Sequence, residues 1–336
     1  MTEHLVLGPD VTERPLSSRR LMPLAIRATT PSVDLVSWAT SFAEALRDRI
    51  VRHGAVLLRG FANVSAETFE KTIADVCGPP LEYVERSSPR HTVYRNVYTS
   101  TDHPANERIY LHNEQSYNLT WPQYICFCCL VPPRSGGATP VADCRRIHSR
   151  IPESIRDRFA DCGYLYVRNF GNGLGLTWRE AFQTDDPKEV ERYCADNDIE
   201  FAWGSGEQLR TRQRRPAVAS HPLTGEPTWF NHITFFHVST LGPELAKRLT
   251  DSVGMSHLPN NTYYGDGQDI EPEVMDELRA AYDAERIEFP WKLGDVLLLD
   301  NMLTAHGRAP YSPPRQILVG MAKPERIPHG VVNPGR

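Results

Sequence analysis

The chain has 336 residues, with 37 Lys and Arg against 42 Asp and Glu, for a formal net charge of −5. Apolar residues at 40% and charged residues at 24% are the proportions of a packed globule and exclude a disordered chain, while the acidic balance gives whole-chain nucleic-acid binding no footing. A chain of this length forms one large domain or two modest ones and buries roughly 75% of the surface it exposes unfolded.

In chain order, residues 1–30 form a proline-containing lead-in with little periodicity. Leu35, Trp38, Phe42 and Leu46 recur at steps of three and four, predicting a helix over 34–50 capped by Ser32 or Asp34. The glycine-bounded apolar run 54–61 predicts a buried strand, with Arg59 at its end read either as reaching toward the site or, preferred here, as forming a salt bridge. A second helix is expected from Ser65, with Phe69, Ile73 and Val76 on its apolar side. From about residue 93, short runs rich in Val, Tyr, Phe, Cys and Ile alternate with turn clusters. Helices are expected at 150–160, 241–253 and 271–283, and strands at 296–299 and 316–321. Residues 165–220, interrupted by Gly171, Gly173, Gly175, Gly204 and Gly206, predict a long lid or substrate loop.

Short strands without regular helical crossovers predict a mainly β fold with flanking helices, built on a closed or sandwiched antiparallel sheet. One domain over 1–330 is expected, with about 160–290 as a helical and loop insertion. No apolar stretch reaches the ~18 residues of a membrane span. The amino terminus lacks the basic start and apolar run of a secretory leader, and seven scattered Cys favour reduced thiols, so the expected location is the cytoplasm. Cys126, Cys128 and Cys129 lie in an apolar run without C-x-x-C spacing; they are expected to be core residues, not zinc ligands.

No glycine-rich dinucleotide loop, phosphate-binding loop or G-x-S-x-G elbow occurs. The informative segment is Leu111-His112-Asn113-Glu114-Gln115-Ser116. In a strand, residues two apart face one side, so His112 and Glu114 can converge on one ion and Ser116 shares their parity. His306, in a loop expected to leave the apolar strand 296–299, is the best candidate for a third ligand. Two His and one carboxylate form the facial set of non-haem Fe(II) sites and leave three positions open. Alone, His-x-Glu is a weak signal in a chain with 12 His; a buried histidine beside an ordinary carboxylate is the blander account. Arg315, nine residues beyond His306, offers a rigid fork for a carboxylate, and Thr139 a hydroxyl for the same anion.

With these residues together, the chain resembles the Fe(II)/2-oxoglutarate dioxygenases of the taurine dioxygenase and clavaminate synthase type. Their pattern of His-x-Asp/Glu, a Thr about 25 residues on, a distal His and a following Arg is matched by His112, Glu114, Thr139, His306 and Arg315, and the likeness runs from about 35 to 322. The resemblance implies a double-stranded β-helix (jelly roll) and a cofactor set of Fe(II), 2-oxoglutarate and O2. It implies that 2-oxoglutarate chelates the iron while its distal carboxylate pairs with Arg315, helped by Thr139. Decarboxylation to succinate and CO2 then drives oxidation of an unactivated C–H bond. Hydroxylation is the default outcome; desaturation, epoxidation or cyclisation needs only another substrate pose. Glu114 stands where many members have Asp, and a carboxylate there argues against halogenation. Segments 111–117 and 306–308 look most like the branch resembling the syringomycin aspartyl hydroxylase, whose members modify amino-acid units in peptide antibiotic pathways, some on a carrier protein.

Candidate substrate contacts are Gln115, Ser116, Asn231, His232 and Arg308, the last two residues beyond His306. Asn301 is expected to fix its loop through backbone hydrogen bonds. Arg210, Arg212, Arg214 and Arg215 form a basic knot, read either as a solvated loop or as a contact for an acidic carrier. The partner expected is thus a small amino-acid-like molecule, free or carrier-borne, with neither nucleic acid nor membrane. Two other readings compete: a metal-dependent hydrolase or isomerase on the same site, and a non-catalytic binding protein that has kept the barrel.

Overall fold

The computed structural model describes residues 6–17, 20–81, 85, 91–100 and 103–326; the ends of the expected domain span, 1–5 and 327–330, lie outside them. The organising element is an eight-stranded sheet. Its order is Val11–Ser17, Arg20–Ala28, Ala55–Arg59, Val296–Asp300, Thr120–Val131, Gln316–Arg326, Val97–Thr99 and Thr92–Tyr94. Every pairing is antiparallel except that of Arg20–Ala28 with Ala55–Arg59. The expected lead-in is therefore two strands of the main sheet, an antiparallel hairpin with Val11 opposite Ala28.

Strand Val296–Asp300 is buried throughout, which is why it reads as a continuous apolar run and not as an alternation. Successive side chains enter two different cores. Val296 and Leu298 pack with Leu35, Leu46, Phe69 and Ile73 of the helices on one face. Leu297 and Leu299 pack with Phe127, Val141, Trp291 and Val319 on the other. Each fully buried aliphatic side chain stabilises this sandwich by about 1.5–3 kcal/mol. The cysteines of 124–131 follow the same alternation: Cys126 and Cys128 face the helices and Cys129 the second core.

The helical layer is Leu35–Ser41, Ala43–His53 and Ala66–Cys77. The single helix expected over 34–50 is divided at Phe42, whose φ of −116° and ψ of 23° leave the helical region. Asp34 does cap the start, accepting from the Ser37 amide at 2.9 Å. Gly54 ends helix Ala43–His53 at φ 71°, and only glycine fits, since a Cβ there would meet Met22 Cε at 2.5 Å and Thr304 Oγ1 at 2.7 Å.

A three-stranded sheet of Ile109–His112, Thr304–Arg308 and Val141–Asp143 lies beyond the second core. A four-stranded sheet, ordered Ile199–Trp203, Leu209–Arg215, Tyr164–Phe170 and Asn260–Tyr264, replaces the loop expected over 165–220. Alternation along Leu209–Arg215 divides the basic knot. Arg212 and Arg214 are exposed, whereas Arg215 is buried and donates to the carbonyls of Tyr117 at 2.8 Å and Asn197 at 2.7 Å. Helices Glu153–Cys162, Pro243–Val253 and Pro272–Glu285 occupy the expected stretches.

Arg59 closes the end of its strand with a two-pronged pair to Asp295 at 2.8 and 2.6 Å, the carboxylate being fully buried. Removing one partner strands the other charge in the interior. Asp295→Ala is therefore expected to lower the unfolding free energy by about 3–5 kcal/mol, read from the urea midpoint; a midpoint shift worth under about 1 kcal/mol, the scale of an exposed pair, contradicts this.

Candidate metal centre

Two segments far apart in sequence meet on the three-stranded sheet. His306 and His112 are direct partners across antiparallel strands, and their ring centroids lie 4.6 Å apart. His306 is thus a strand residue, not the loop residue the sequence led us to expect, and strand pairing fixes its distance from His112. The strands can approach this closely because position 307 is glycine, where a Cβ would meet Ile109 O at 2.5 Å. Glu114 is placed differently from expectation. The strand ends at His112, and residues 113–119 form a turn with Gln115 at φ 54°. Strand parity therefore does not relate His112, Glu114 and Ser116.

Ligand atoms of His112, Glu114 and His306 nonetheless all lie within 4.8 Å of one another. The chemistry of this set, two imidazole nitrogens and one carboxylate oxygen, fits an iron. His112 Nδ1 is 2.8 Å from the Tyr110 carbonyl. A carbonyl only accepts, so Nδ1 carries the proton, and Nε2 is the nitrogen that would take an ion. Phe235 packs 4.5 Å from the His112 ring and Phe127 5.3 Å from the His306 ring, giving both imidazoles apolar walls that hold their orientation.

Just before strand Gln316–Arg326 of the main sheet, the half-buried Arg315 guanidinium donates to the Gly137 carbonyl at 3.1 Å and Ser100 Oγ at 3.2 Å. Among the described residues no carboxylate lies within ion-pairing distance of it. Burial, then the neighbouring Arg308 charge, pulls its pKa down to about 10; it stays cationic at neutral pH and lacks only an anion. Thr139 is 2% exposed and receives the Trp291 indole N–H at 3.1 Å. An indole only donates, so the Thr139 hydroxyl proton is directed elsewhere.

His232 lies 5.3 Å from the His112 ring, stacks 4.8 Å from Phe236, and shares a 2.7 Å hydrogen bond between Nδ1 and Ser116 Oγ. Burial, and secondarily His112, holds its pKa well below the ordinary imidazole value, so the ring is neutral at pH 7. Gln115 is also buried. Both ends of the Asn231 amide are engaged with backbone, Oδ1 by the Ile233 N–H at 3.0 Å and Nδ2 by the Ala217 carbonyl at 2.8 Å. Arg308 ties down the segment before Ile109, donating to the carbonyls of His103 at 2.8 Å, Glu107 at 2.9 Å and Pro104.

Sequence reasoning passed over Trp291, Phe235 and Ser100. Trp291 follows a proline near an expected turn, and an isolated tryptophan there was the available signal.

Residues 17–322 match the family described as "Taurine catabolism dioxygenase TauD, TfdA family". The dapdiamide synthesis protein DdaC of Enterobacter agglomerans is 38% identical over 312 residues, covering 89% of this chain and 95% of that protein. A clavaminate synthase-like protein of Arabidopsis thaliana is 27% identical over 281 residues, covering 80% and 82%. The fold is shared with PvcB of Pseudomonas aeruginosa, at TM-score 0.55 and 17% identity over 96% of this chain and 94% of that one. It is also shared with a taurine dioxygenase of Burkholderia xenovorans, at TM-score 0.54 and 15% identity over 96% and 97%. The chain belongs to the TauD/TfdA family and has the mixed β/α fold of Fe(II)/2-oxoglutarate oxygenases. It is an enzyme of that dioxygenase class, with Fe(II), 2-oxoglutarate and O2 as its cofactor set. His112, Glu114 and His306 would hold the Fe(II), which would supply O2 activation coupled to decarboxylation of 2-oxoglutarate. Among the described residues, no helix is long and apolar enough to cross a membrane.

Proposed function

We propose that the enzyme hydroxylates an unactivated C–H bond of an amino acid or amino-acid-derived substrate, free or carrier-borne, in natural-product biosynthesis, releasing succinate and CO2. The observation that carries the reading is the grouping of His112, Glu114 and His306 within 4.8 Å, with the half-buried Arg315, just before strand Gln316–Arg326, offering its guanidinium to an anion. The carboxylate of Glu114 occupies a position that a halogenase leaves to chloride. A relative named for dapdiamide synthesis supports the biosynthetic setting. The likeness of 111–117 and 306–308 to the syringomycin aspartyl hydroxylase branch supports the substrate class.

In this reading the eight-stranded and three-stranded sheets are the two walls of a double-stranded β-helix, and 160–290 closes over its mouth. Arg315 and Thr139 take the distal carboxylate of 2-oxoglutarate. Gln115, Ser116 and neutral His232 face the substrate, while Asn231 and Arg308 hold the walls around it. The enzyme works in the cytoplasm, where its buried thiols stay reduced, and neither nucleic acid nor membrane takes part. The exposed Arg212 and Arg214 support presentation of the substrate on an acidic carrier.

The test is a screen of amino acids and their carrier-borne forms for O2- and substrate-dependent succinate, followed by mass spectrometry of the product. One added oxygen on a saturated carbon is the expected result. Loss of two hydrogens, an added oxygen across a former double bond, or ring closure would replace hydroxylation with desaturation, epoxidation or cyclisation. Turnover without succinate would overturn the reading altogether.

A further inference from the structure

We propose that Asn301 is a positioning residue for iron, acting through the backbone of Glu114. The proposal rests on the metal reading above and concerns how this chain holds its one anionic ligand. His112 and His306 are placed by strand pairing, but Glu114 lies beyond the end of its strand, in the turn 113–119. A turn alone gives a ligand little constraint, and metal affinity depends on holding ligands in register before the ion arrives.

The side chain of Asn301 supplies the constraint that a neighbouring strand would otherwise provide. Its Oδ1 accepts the Glu114 N–H at 2.8 Å, and its Nδ2 donates to the Glu114 carbonyl at 2.9 Å. That is the two-bond exchange of an antiparallel residue pair, performed by one carboxamide. The second Nδ2 proton goes to the Pro122 carbonyl at 2.9 Å, which ties the far end of the turn to the same group. All three hydrogen-bonding functions named here are engaged, and Asn301 is fully buried. The clasp is reciprocal: Asn113, next to the ligand, donates from Nδ2 to the Asn301 carbonyl at 2.6 Å, and the Asn301 N–H donates to the Gln123 carbonyl at 2.7 Å. Asn301 itself sits at the end of the rigid strand Val296–Asp300, and the Asp300 carboxylate fixes the next turn by accepting from the Met302 and Leu303 amides at 2.9 and 3.1 Å. Position 114 is thus referenced to the core of the main sheet.

The experiment is an anaerobic titration of metal-free protein with Mn(II) and Fe(II), comparing wild type, Asn301→Ala, Asn301→Asp and, as a control, Thr228→Val. Thr228 is an equally buried residue whose hydroxyl bonds the Ala219 carbonyl and not the turn 113–119. Asn301→Ala removes the clasp. Asn301→Asp keeps the acceptor and the shape but loses both donors. Both are expected to weaken Mn(II) binding about 10- to 100-fold, the range for outer-shell partners, with the folded circular-dichroism signal retained. The control should lose thermal stability without losing metal affinity. A folded Asn301 variant binding Mn(II) within twofold of wild type would overturn the proposal. Should neither variant fold, amide hydrogen exchange on metal-free wild type decides: the Glu114 amide should be as protected as those of strand Val296–Asp300, and exchange at the rate of an exposed turn overturns the role of Asn301. Failure of wild type to bind either metal would instead strike at the metal reading itself.

Discussion

Replacing Glu114 with alanine is expected to weaken Fe(II) binding by more than about 100-fold, beyond the 10- to 100-fold typical of outer-shell partners, and to abolish substrate-dependent succinate formation. The reason is electrostatic as well as geometric. His112 Nδ1 is held by the Tyr110 carbonyl, and Glu114 supplies the only carboxylate in the group. Glu114→Gln keeps the shape and removes the charge, which separates the two effects: a loss as large as that of alanine assigns the effect to charge. Because the carboxylate is 2% exposed, its removal also leaves a small void, yet the backbone of residue 114 remains clasped by Asn301. The metal-free fold should therefore persist, and isothermal titration with Mn(II) on folded variant reads the ligand loss without confusion from unfolding. Wild-type affinity in Glu114→Ala would contradict this account.

The second large effect concerns the anion end. Arg315→Met is expected to raise the apparent KM for 2-oxoglutarate by at least about 30-fold. Truncating one partner of a buried, hydrogen-bonded charge pair costs about 2–5 kcal/mol, and the lower figure converts to roughly that factor. Among the described residues no protein carboxylate competes for Arg315, so little is regained by letting the side chain go. Arg315→Lys should recover part of the loss as a point charge and lack the fork. Fe(II) affinity measured without 2-oxoglutarate should stay at the wild-type value in both variants. An unchanged KM, or a loss of metal binding equal to the loss of 2-oxoglutarate binding, would show that Arg315 does not hold the cosubstrate.

How much of this was legible in the sequence follows from which forces left a pattern. The buried strands at 54–61 and 296–299 and the helices near 66, 243 and 272 showed because apolar periodicity or continuity is local. The amino-terminal hairpin did not show. Pro15 and Pro23 interrupt it, and Arg20–Ala28 gains its order from parallel pairing with Ala55–Arg59, a partner that no window around residue 24 contains. The strand Leu209–Arg215 was hidden for a different reason. Its inward face carries Thr211, Gln213 and Arg215, all buried, so alternation exists without hydrophobicity to reveal it.

At the metal centre the residue types and spacings were legible, while the backbone carrying them was not. Two residues apart is the separation of a strand face, and it is also the separation across the end of a strand into a turn. What distinguishes the two here is a hydrogen-bonded partner 187 residues away, Asn301 against the Glu114 amide. The sequence placed Asn301 as a backbone clamp but gave no sign of which backbone it held. For Thr139, the donor that orients its hydroxyl is Trp291, 152 residues on, a relation no spacing encodes.

An anaerobic addition of Fe(II) and then 2-oxoglutarate to the metal-free protein, followed by visible absorption, interrogates the site as a whole. The geometry predicts a weak metal-to-ligand band that appears only after both are present, saturates at one equivalent of each, and is lost in His306→Ala. Absence of any band in wild type, or a band of the same intensity in His306→Ala, would mean that the two segments do not hold one iron between them.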